Sequence, residues 1–306
     1  MKVYLKLLLT ALFWGGTFTA GRLVSQNVGP FSIALQRFAI ASIFLLLLTW
    51  RTEGRLPALK KSQVLSVVLL GMTGIFTYNV MFFKGLKIIE ASRASLIIAT
   101  CPVFIAIASA FLLKEKINAA KVLGILVSLC GAIVVISRGN VRQIFHAGLS
   151  LGELYILCCV LSWTAYSLIG KTVMRDLSPL ASVSYSAAVG AVALFVPACF
   201  EGLIRDMAGQ SILDWLSICY LSLFGTVLGF VWYYEGVARI GPMKAGLFIN
   251  FVPVFAIVFA FLILAEPITL SLAVGALLVI WGVYLTNRKA NSSYPSHMKK
   301  NVFYRR

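Results

Sequence analysis

Ten long apolar stretches dominate this sequence and constrain its fold more than any other feature. They cover about 4–24, 31–50, 63–86, 93–113, 118–137, 151–171, 180–200, 212–237, 243–264 and 269–287. A transmembrane helix needs about 20 apolar residues in a row, so each stretch is long enough to form one. Only 12% of the residues are charged, whereas a soluble domain carries roughly 25%. The sequence therefore predicts an all-α membrane protein with ten transmembrane helices.

An internal repeat relates the two halves of the chain. Residues 64–131 align with residues 215–282 at a constant shift of 151 and without a gap. Closer to the N-terminus the shift is 149, which fits an insertion or deletion in the loop at about 51–61. The matched pairs include Gly74 and Gly225, Gly85 and Gly236, Pro102 and Pro253, Glu115 and Glu266, Gly131 and Gly282, and Trp14 and Trp163. Chance similarity between apolar runs does not produce such pairs at fixed shifts, so we infer a duplication.

The odd number of helices in each copy predicts how the copies are oriented. Because each copy holds five helices, the second copy must enter the membrane from the opposite side. Inverted repeats of this kind are a common plan of secondary transporters, with the substrate site near the midplane between the halves. We predict a first repeat over 1–140, a second over 141–290, and a basic cytoplasmic tail over 291–306.

The positive charges predict the orientation of the chain in the membrane. With the N-terminus inside, 19 of the 27 lysines and arginines fall in inner loops and tails and 7 on the outer side, while Arg37 lies within a helix. Cytoplasmic loops carry the excess of such residues. We therefore expect a multi-pass protein of the cytoplasmic (inner) membrane with both termini in the cytoplasm. The charges form short clusters between apolar runs, so the net charge of +17 does not predict a nucleic-acid partner.

Two short motifs stand out, and the second of them occurs in both halves. They are Trp14-Gly15-x-x-Phe18 in the first helix, Leu113-Lys-Glu115-Lys-Ile117 followed by Gly124 and Gly131, and Leu264-Ala-Glu266-Pro-Ile268 followed by Gly275 and Gly282. Together they resemble the EamA repeat, and about residues 5–287 resemble a ten-helix member of the drug/metabolite transporter superfamily. The resemblance implies a secondary transporter that moves a small metabolite, such as an amino acid, a related metabolite or a drug-like compound, usually outward. It implies alternating access between the repeats, and it does not identify the substrate.

Aromatic residues lie on helices that the repeat makes equivalent. Trp14 and Trp163 are each near the middle of a predicted helix, where a bulky indole either packs or lines a cavity. Ring faces attract cations. We predict that one central cavity between the halves is lined by Trp14, Phe18, Tyr78, Phe82, Trp163, Tyr166, Trp232, Tyr233 and Asn250. For Trp232 and Tyr233, which lie near a helix end, an interfacial aromatic belt is the alternative.

A charged residue inside a predicted span and another near the end of one are candidates for a role in transport. Arg37 lies about six residues into the second helix, roughly 9 Å deep at about 1.5 Å per residue. A charge at such depth is costly and points to function, here the attraction of a substrate carboxylate or phosphate. Snorkelling to the outer interface is the alternative.

Glu235, towards the cytoplasmic end of the eighth helix, is the nearest candidate for proton coupling. Facilitated diffusion by rocking of the two halves needs no such residue, and we favour this mechanism.

Proline and glutamate also recur at matched positions. Pro102 and Pro253 lie in the middle of predicted helices, where proline removes a backbone hydrogen bond and kinks the helix. We expect a hinge or cavity-lining role for both, with packing alone as the alternative. Glu115 and Glu266 each precede the following helix, where a carboxylate stabilises the positive end of the helix dipole. We expect both glutamates to be structural.

The polar residues exclude several other classes of protein. A membrane-embedded enzyme needs clustered acid–base or nucleophilic groups, and the apolar stretches contain no Asp, Glu or His at mid-depth. With 2 histidines and no Cys-x-x-Cys pair among the 6 cysteines, we expect no metal site and no cofactor. The expected partners are a small-molecule substrate and membrane lipid, with the chain a monomer or weak dimer. A flippase for a lipid or lipid-linked sugar is the alternative function.

Overall fold

The computed structural model of the chain describes residues 2–113, 119–140, 149–174, 176–240, 248 and 251–287. All regular secondary structure within these ranges is helical. The first half contains α1 (Lys2–Val24), α2 (Pro30–Glu53), α3 (Lys61–Leu70), α4 (Tyr78–Ile88), α5 (Ala91–Ile98), α6 (Cys101–Leu113) and α7 (Ala119–Ile136). The second half contains α8 (Leu151–Val173), α9 (Pro179–Glu201), α10 (Leu203–Gly209), α11 (Ile212–Tyr220), α12 (Gly229–Ile240), α13 (Val252–Leu264) and α14 (Leu270–Asn287).

Many of these helices are apolar along their length. Among the described residues, six spans are long and apolar enough to cross a membrane, namely Lys2–Val24, Pro30–Glu53, Gln63–Ile88, Leu151–Gly170, Pro179–Glu201 and Ile212–Tyr233. Four shorter apolar helical segments cover Ala91–Ile105, which spans α5 and the start of α6, Val122–Ile136, Val252–Leu264 and Leu270–Leu285. Each of the ten predicted stretches contains a helix in its described part, because a backbone in lipid must satisfy its own hydrogen bonds. The all-α prediction is confirmed for the described ranges.

Several helices of the second half begin at residues that favour a helix start. The Ser150 hydroxyl accepts a hydrogen bond from the backbone N–H of Glu153 at 3.3 Å, and the Glu153 carboxylate accepts one from the backbone N–H of Ser150 at 2.8 Å. Ser211 and Asp214 form the same reciprocal pair before α11. These capping boxes satisfy N–H groups that have no partner inside the helix. Pro179 opens α9, where its missing N–H costs nothing.

Two spans contain π-helical segments at matching positions. The first segment, Gly71–Thr77, joins α3 to α4, and the second, Leu221–Leu228, joins α11 to α12. The shift of 151 that relates the halves places residues 71–77 on residues 222–228. A π-helical turn is wider than an α-helical turn and is often found at functional sites. The same local distortion therefore occurs in both halves.

The helices pack in reciprocal pairs. α1 packs against α11, α12 and α13, while α8 packs against α3, α4, α5 and α6. α2 packs against α9, and α7 packs against α14. In the last pair the backbones nearly touch, since a Cβ on Gly131 would lie 2.7 Å from the backbone nitrogen of Val279, and one on Gly282 would lie 2.3 Å from that of Ser128. Small residues allow such close approach in membrane helices.

The two prolines lie at helix starts, which corrects the expectation that they lie mid-helix. A two-residue turn after Ile98 separates α5 from α6, and Pro102 is the second residue of α6. Pro253 is the second residue of α13. Proline is well tolerated in the first turn of a helix, because the N–H it lacks has no helical partner there. The fourth apolar stretch is therefore interrupted just before its proline rather than bent around it.

Carboxylates bond the starts of helices from the other half of the chain. The Glu201 carboxylate accepts hydrogen bonds from the backbone N–H groups of Phe31 at 2.8 Å and Ser32 at 2.9 Å. Glu266 likewise accepts bonds from the N–H groups of Ala91 at 2.7 Å and Ser92 at 3.0 Å. Glu266 therefore caps α5 and not α14, the helix that follows it. Its structural role is as expected, but the helix it stabilises was predicted wrongly, because sequence proximity does not reveal contacts between the halves.

The second glutamate of that matched pair, Glu115, lies outside the described residues. The same is true of Asn250, which was predicted to line the cavity.

Candidate functional site

Aromatic side chains from both halves meet between α1, α4, α8 and α12. We call this group the aromatic cluster, and its members are Trp14, Phe18, Tyr78, Phe82, Trp163, Tyr166, Phe230 and Tyr233. Seven of these eight residues were predicted from the sequence to share one site. The structure brings these seven together.

Ring contacts run through the aromatic cluster without interruption. On one side, the Trp14 ring lies 5.5 Å from the ring of Tyr233 and 5.6 Å from that of Phe230. Phe230 lies 6.3 Å from Trp163, which in turn lies 5.3 Å from Tyr78. The chain of rings continues from Tyr78 through Phe82 to Phe18, with separations of 5.9 and 5.2 Å, and a branch joins Trp163 to Tyr166 at 5.3 Å. These separations are those at which aromatic pairs attract one another.

Glycines in the second π-helical span hold the Trp14 indole in place. Trp14 Nε1 donates a hydrogen bond of 2.9 Å to the carbonyl oxygen of Gly225. A Cβ on Gly229 would lie 2.5 Å from the same nitrogen, and one on Gly225 would lie 2.6 Å from Cγ2 of Thr17. Only glycine leaves room for α1 at these two positions. Gly225 and Gly229 therefore form a small-residue stripe that allows close helix contact.

Phe230 joins the two matched tryptophans and was missed by the sequence analysis. It is 8% exposed. Its counterpart in the first half is Asn79, so the repeat gave no aromatic pair to point to it. Nothing else in the sequence distinguishes Phe230 from the other phenylalanines, of which the chain has 21 in all.

Trp232 packs away from the aromatic cluster. Its ring lies 5.6 Å from that of Phe13 and 5.8 Å from Nζ of Lys6. Lys6 also forms an ion pair of 2.5 Å with Glu235, and both side chains are 38% exposed. Trp232 and Glu235 thus belong to a half-exposed contact between α1 and α12. The structure therefore does not place Trp232 beside the other predicted site residues.

Arg37 is buried next to the aromatic cluster. It is 7% exposed. Its Nε donates a hydrogen bond of 3.0 Å to the hydroxyl of Thr226, and its Nη1 donates one of 3.1 Å to the amide oxygen of Asn79. Both partners are nearly inaccessible. The guanidinium therefore points into the protein, and the alternative that it snorkels to the outer interface is wrong.

The partners of Arg37 come from the two π-helical spans. Asn79 follows the first π-helical segment, and its amide nitrogen donates to the carbonyl oxygens of Gly74 at 3.2 Å and Ile75 at 2.8 Å. Thr226 lies in the second segment, and its hydroxyl donates to the carbonyl oxygen of Leu221 at 2.9 Å. Both side chains thus satisfy backbone oxygens of the distorted turns while they present an oxygen to Arg37. Neither residue was singled out by the sequence analysis, since a π-helix leaves no mark in the hydrophobic pattern.

This arrangement combines two kinds of recognition. The rings of the aromatic cluster suit apolar or cationic groups, and the guanidinium of Arg37 suits an anionic group. Among the described residues there is no group of three His, Cys, Asp or Glu side chains that could hold a metal ion. The described part of the site therefore offers aromatic and cationic contacts.

Comparisons with known proteins agree with this chemistry. The chain is 32% identical to the uncharacterized transporter YyaM of Bacillus subtilis, over 92% of this chain and 92% of that protein. It is 29% identical to the probable terminal-alkyne amino-acid exporter of Streptantibioticus cattleyicolor, over 94% of each. These relatives are named as transporters and not as enzymes, and they give no support to the flippase alternative.

A solved crystal structure and a family model give the remaining comparisons. The crystal structure has the same fold, with a TM-score of 0.63 at 18% identity and coverage of 94% of this chain and 98% of that chain. The model of the EamA-like transporter family matches residues 1–137 and again residues 150–288. Together with the apolar helices, this match means that the chain is a multi-pass membrane transporter and belongs to the EamA-like transporter family.

Proposed function

We propose that this transporter exports a small organic solute by alternating access, with the aromatic cluster and Arg37 as its substrate site. The observation that carries the proposal is that both halves contribute to one place. Trp14 of the first half and Trp163 of the second are matched by the repeat, and both contact Phe230. A site between inverted repeats faces either side of the membrane in turn as the halves rock.

Ten transmembrane helices in two inverted repeats, 1–140 and 141–290, are the architecture that this mechanism requires. The family model supports it by matching the chain once in each half. The two π-helical segments support it because they lie at positions that the repeat makes equivalent. The packing supports it as well, since α1 contacts α13 of the second half while α8 contacts α5 and α6 of the first. Such exchange of contacts is what a twofold relation between repeats produces.

We further propose that both termini, including the basic tail 291–306, are in the cytoplasm and that the protein lies in the inner membrane. The support is the distribution of lysine and arginine, of which 19 fall on the inner side and 7 on the outer side. Cytoplasmic loops carry this excess.

The substrate class we propose is an amino acid or a related metabolite, moved outward. Support comes from the relative named as a probable amino-acid exporter, which is 29% identical over 94% of this chain. The chemistry of the site agrees, because an amino acid carries a cationic ammonium group and often an apolar side chain, and both kinds of group suit aromatic rings.

The mechanism we propose is facilitated diffusion rather than proton exchange. Glu235, the candidate for proton coupling, is held by Lys6 at 2.5 Å in a half-exposed contact. Pro102 and Pro253 are the hinges we propose for rocking of the halves, since each lies in the first turn of its helix. The backbone at the start of a helix can rotate without loss of helical hydrogen bonds, so such positions can serve as hinges.

The experiment starts with cells that overexpress the protein and are screened for resistance to toxic amino-acid analogues. The purified protein is then placed in proteoliposomes, and efflux of the radiolabelled proteinogenic amino acids and of the screening hits is measured. We expect Trp14→Ala and Trp163→Ala to lower efflux by about tenfold or more, since each removes a ring from the site. Trp281→Ala, which removes a ring of 60% exposure on α14, should leave efflux unchanged. Equal losses in all three variants would overturn the proposed site.

A further inference from the structure

We infer that Arg37 determines the substrate specificity of this transporter by binding a carboxylate group of the transported solute. This inference rests on the proposed function and adds to it the charge that the solute must carry. It starts from the position of the cation, because a buried charge in a membrane protein is costly unless something compensates it. No carboxylate among the described residues pairs with Arg37, as the ion pairs there join other residues.

The two hydrogen-bond partners of Arg37 orient the guanidinium but do not neutralise it. Thr226 and Asn79 are uncharged and accept bonds of 3.0 and 3.1 Å. Their own donors are committed to backbone oxygens of the π-helical spans. The side chains of Asn79 and Thr226 can therefore offer only an oxygen to Arg37. The two hydrogen bonds to these oxygens orient the plane of the guanidinium. The ring of Phe38, 5.1 Å from the guanidinium carbon, adds an attraction that is also without charge.

The third nitrogen of the guanidinium is left for a ligand. No described residue accepts a hydrogen bond from Nη2, whereas Nε and Nη1 each have one partner. Nη2 lies 3.6 Å from the place that a Cβ on Gly225 would occupy. Gly225 is also the residue whose carbonyl oxygen binds the Trp14 indole. The unused donor of Arg37 is therefore adjacent to the aromatic cluster.

A carboxylate fits this donor better than other anions do. Arginine binds carboxylates with short, charge-assisted hydrogen bonds. A single guanidinium balances the one negative charge of a carboxylate, while a doubly charged phosphate leaves one of its two charges without a partner inside the membrane. A purely structural role does not require the charge, since a neutral glutamine could bond to Asn79 and Thr226 without the cost of burying a cation.

The test measures binding separately from transport. Wild-type protein in detergent is titrated with amino acids that have apolar side chains, each matched with its amide and with the amine that lacks the carboxyl group. Probes with aliphatic side chains do not absorb where tryptophan does, so a change in the intrinsic fluorescence of the protein, to which all 6 tryptophans including Trp14 and Trp163 contribute, reports binding. We expect the acids to bind at least about tenfold more tightly than their amides, since a hydrogen bond to a charged group contributes that much. If no acid binds more tightly than its amide, the inference is overturned.

Variants of Arg37 give the second comparison. In Arg37→Gln the preference for acids should disappear while the affinity for the amides stays within about twofold of wild type. Arg37→Lys should keep the preference with weaker binding, because lysine retains the charge but not the planar fork. If Arg37→Gln does not fold, the inference is tested with Arg37→Lys alone. Equal affinity for acid and amide in Arg37→Lys contradicts the inference. An equal loss for acids and amides in both variants shows a structural role and also overturns it.

Two further measurements distinguish the orientation of Arg37 from its charge, and the binding of the solute from its transport. Asn79→Leu and Thr226→Val remove the oxygens that orient Arg37 but not its charge, so the acids should lose affinity and still bind more tightly than the amides. Efflux of the same acids from proteoliposomes tests the proposed function on its own. Selective binding of acids without any efflux would refute the transport proposal and leave the carboxylate site standing.

Discussion

The indole Nε1 of Trp14 donates a hydrogen bond of 2.9 Å to the carbonyl oxygen of Gly225. The acceptor lies in the second π-helical segment, where the wider turn changes which carbonyl oxygens have helical partners. The approach also depends on Gly229, since a Cβ there would lie 2.5 Å from the same nitrogen. The position of one tryptophan thus depends on a distorted turn and on a missing side chain in another helix.

The first prediction concerns Gly229→Ala. In an ordinary helix this change is stabilising by about 1 kcal/mol, but here the added methyl group collides with Trp14. We expect the free energy of unfolding to fall by about 1–3 kcal/mol, as is usual for overpacking, and efflux to fall with it. Chemical unfolding in detergent and efflux from proteoliposomes measure the two effects. The control is Gly209→Ala, where a Cβ would meet open space, and equal behaviour of the two variants would contradict the predicted contact.

The second prediction concerns Phe230→Leu. The change keeps an apolar side chain of similar size, so we expect a stability cost below about 1.5 kcal/mol. It removes the ring that links Trp14 to Trp163, so we expect the KM for efflux to rise several-fold. Phe200→Leu is the control, because that ring is 89% exposed on α9. An unchanged KM in Phe230→Leu would show that Phe230 contributes to helix packing only and is not part of the site.

The sequence predicted the aromatic cluster well where the repeat provided a matched pair. Trp14 and Trp163 were identified because each confirmed the other, and both lie in the cluster. Trp232 was expected in the same site, but its ring packs against Phe13 and Lys6, since Trp232 and Tyr233 are adjacent in a helix and point in different directions. The sequence predicts that the side chains of two neighbouring helical residues point in different directions. It does not show which of the two faces the site.

The surroundings of Arg37 could not be predicted for a different reason. The sequence showed a charge inside a span, and the structure shows that it is buried. Its partners Asn79 and Thr226 come from two distant spans, and their orientation depends on π-helical turns. The hydrophobic pattern of a span is nearly the same with or without such a turn, so periodicity carries no information about it.

The third prediction concerns the cap that Glu266 provides for α5. Its carboxylate accepts three hydrogen bonds, from the N–H groups of Ala91 and Ser92 and from the Ser92 hydroxyl at 2.6 Å. We expect Glu266→Ala to lower the free energy of unfolding by about 1–3 kcal/mol, because it leaves buried donors at a helix start without an acceptor. Thermal unfolding in detergent measures this.

The control for the third prediction is the neighbouring carboxylate of Glu90. It precedes α5 but makes no capping hydrogen bond with its side chain, and its distance to Arg138 is 3.9 Å. Glu90→Ala should therefore change stability by less than about 0.5 kcal/mol. A larger loss in this variant than in Glu266→Ala would contradict the role given to Glu266.

The fourth prediction concerns orientation. If both termini are cytoplasmic, the loop after α7 lies outside the cell and the loop after α2 lies inside. In a cysteine-free background, Asn140→Cys should react with a membrane-impermeant maleimide in intact cells, and Arg55→Cys should react only after the cells are permeabilised. Both positions are exposed. Labelling of the two positions from the same side would contradict the proposed topology.

The last prediction concerns Glu235 and energy coupling. The Glu235 carboxylate and the Lys6 ammonium lie 2.5 Å apart and are 38% exposed, and exposed ion pairs contribute little to stability. If transport is facilitated diffusion, no protein group has to carry a proton across the membrane. We therefore expect Glu235→Gln, which keeps an oxygen for Lys6, to change efflux down a substrate gradient by less than about twofold. An imposed pH gradient should drive accumulation in neither protein. Accumulation of solute against its gradient by the wild type, lost selectively in Glu235→Gln, would instead assign the proton pathway to this carboxylate, because an acidic group on the pathway is what proton-coupled carriers use.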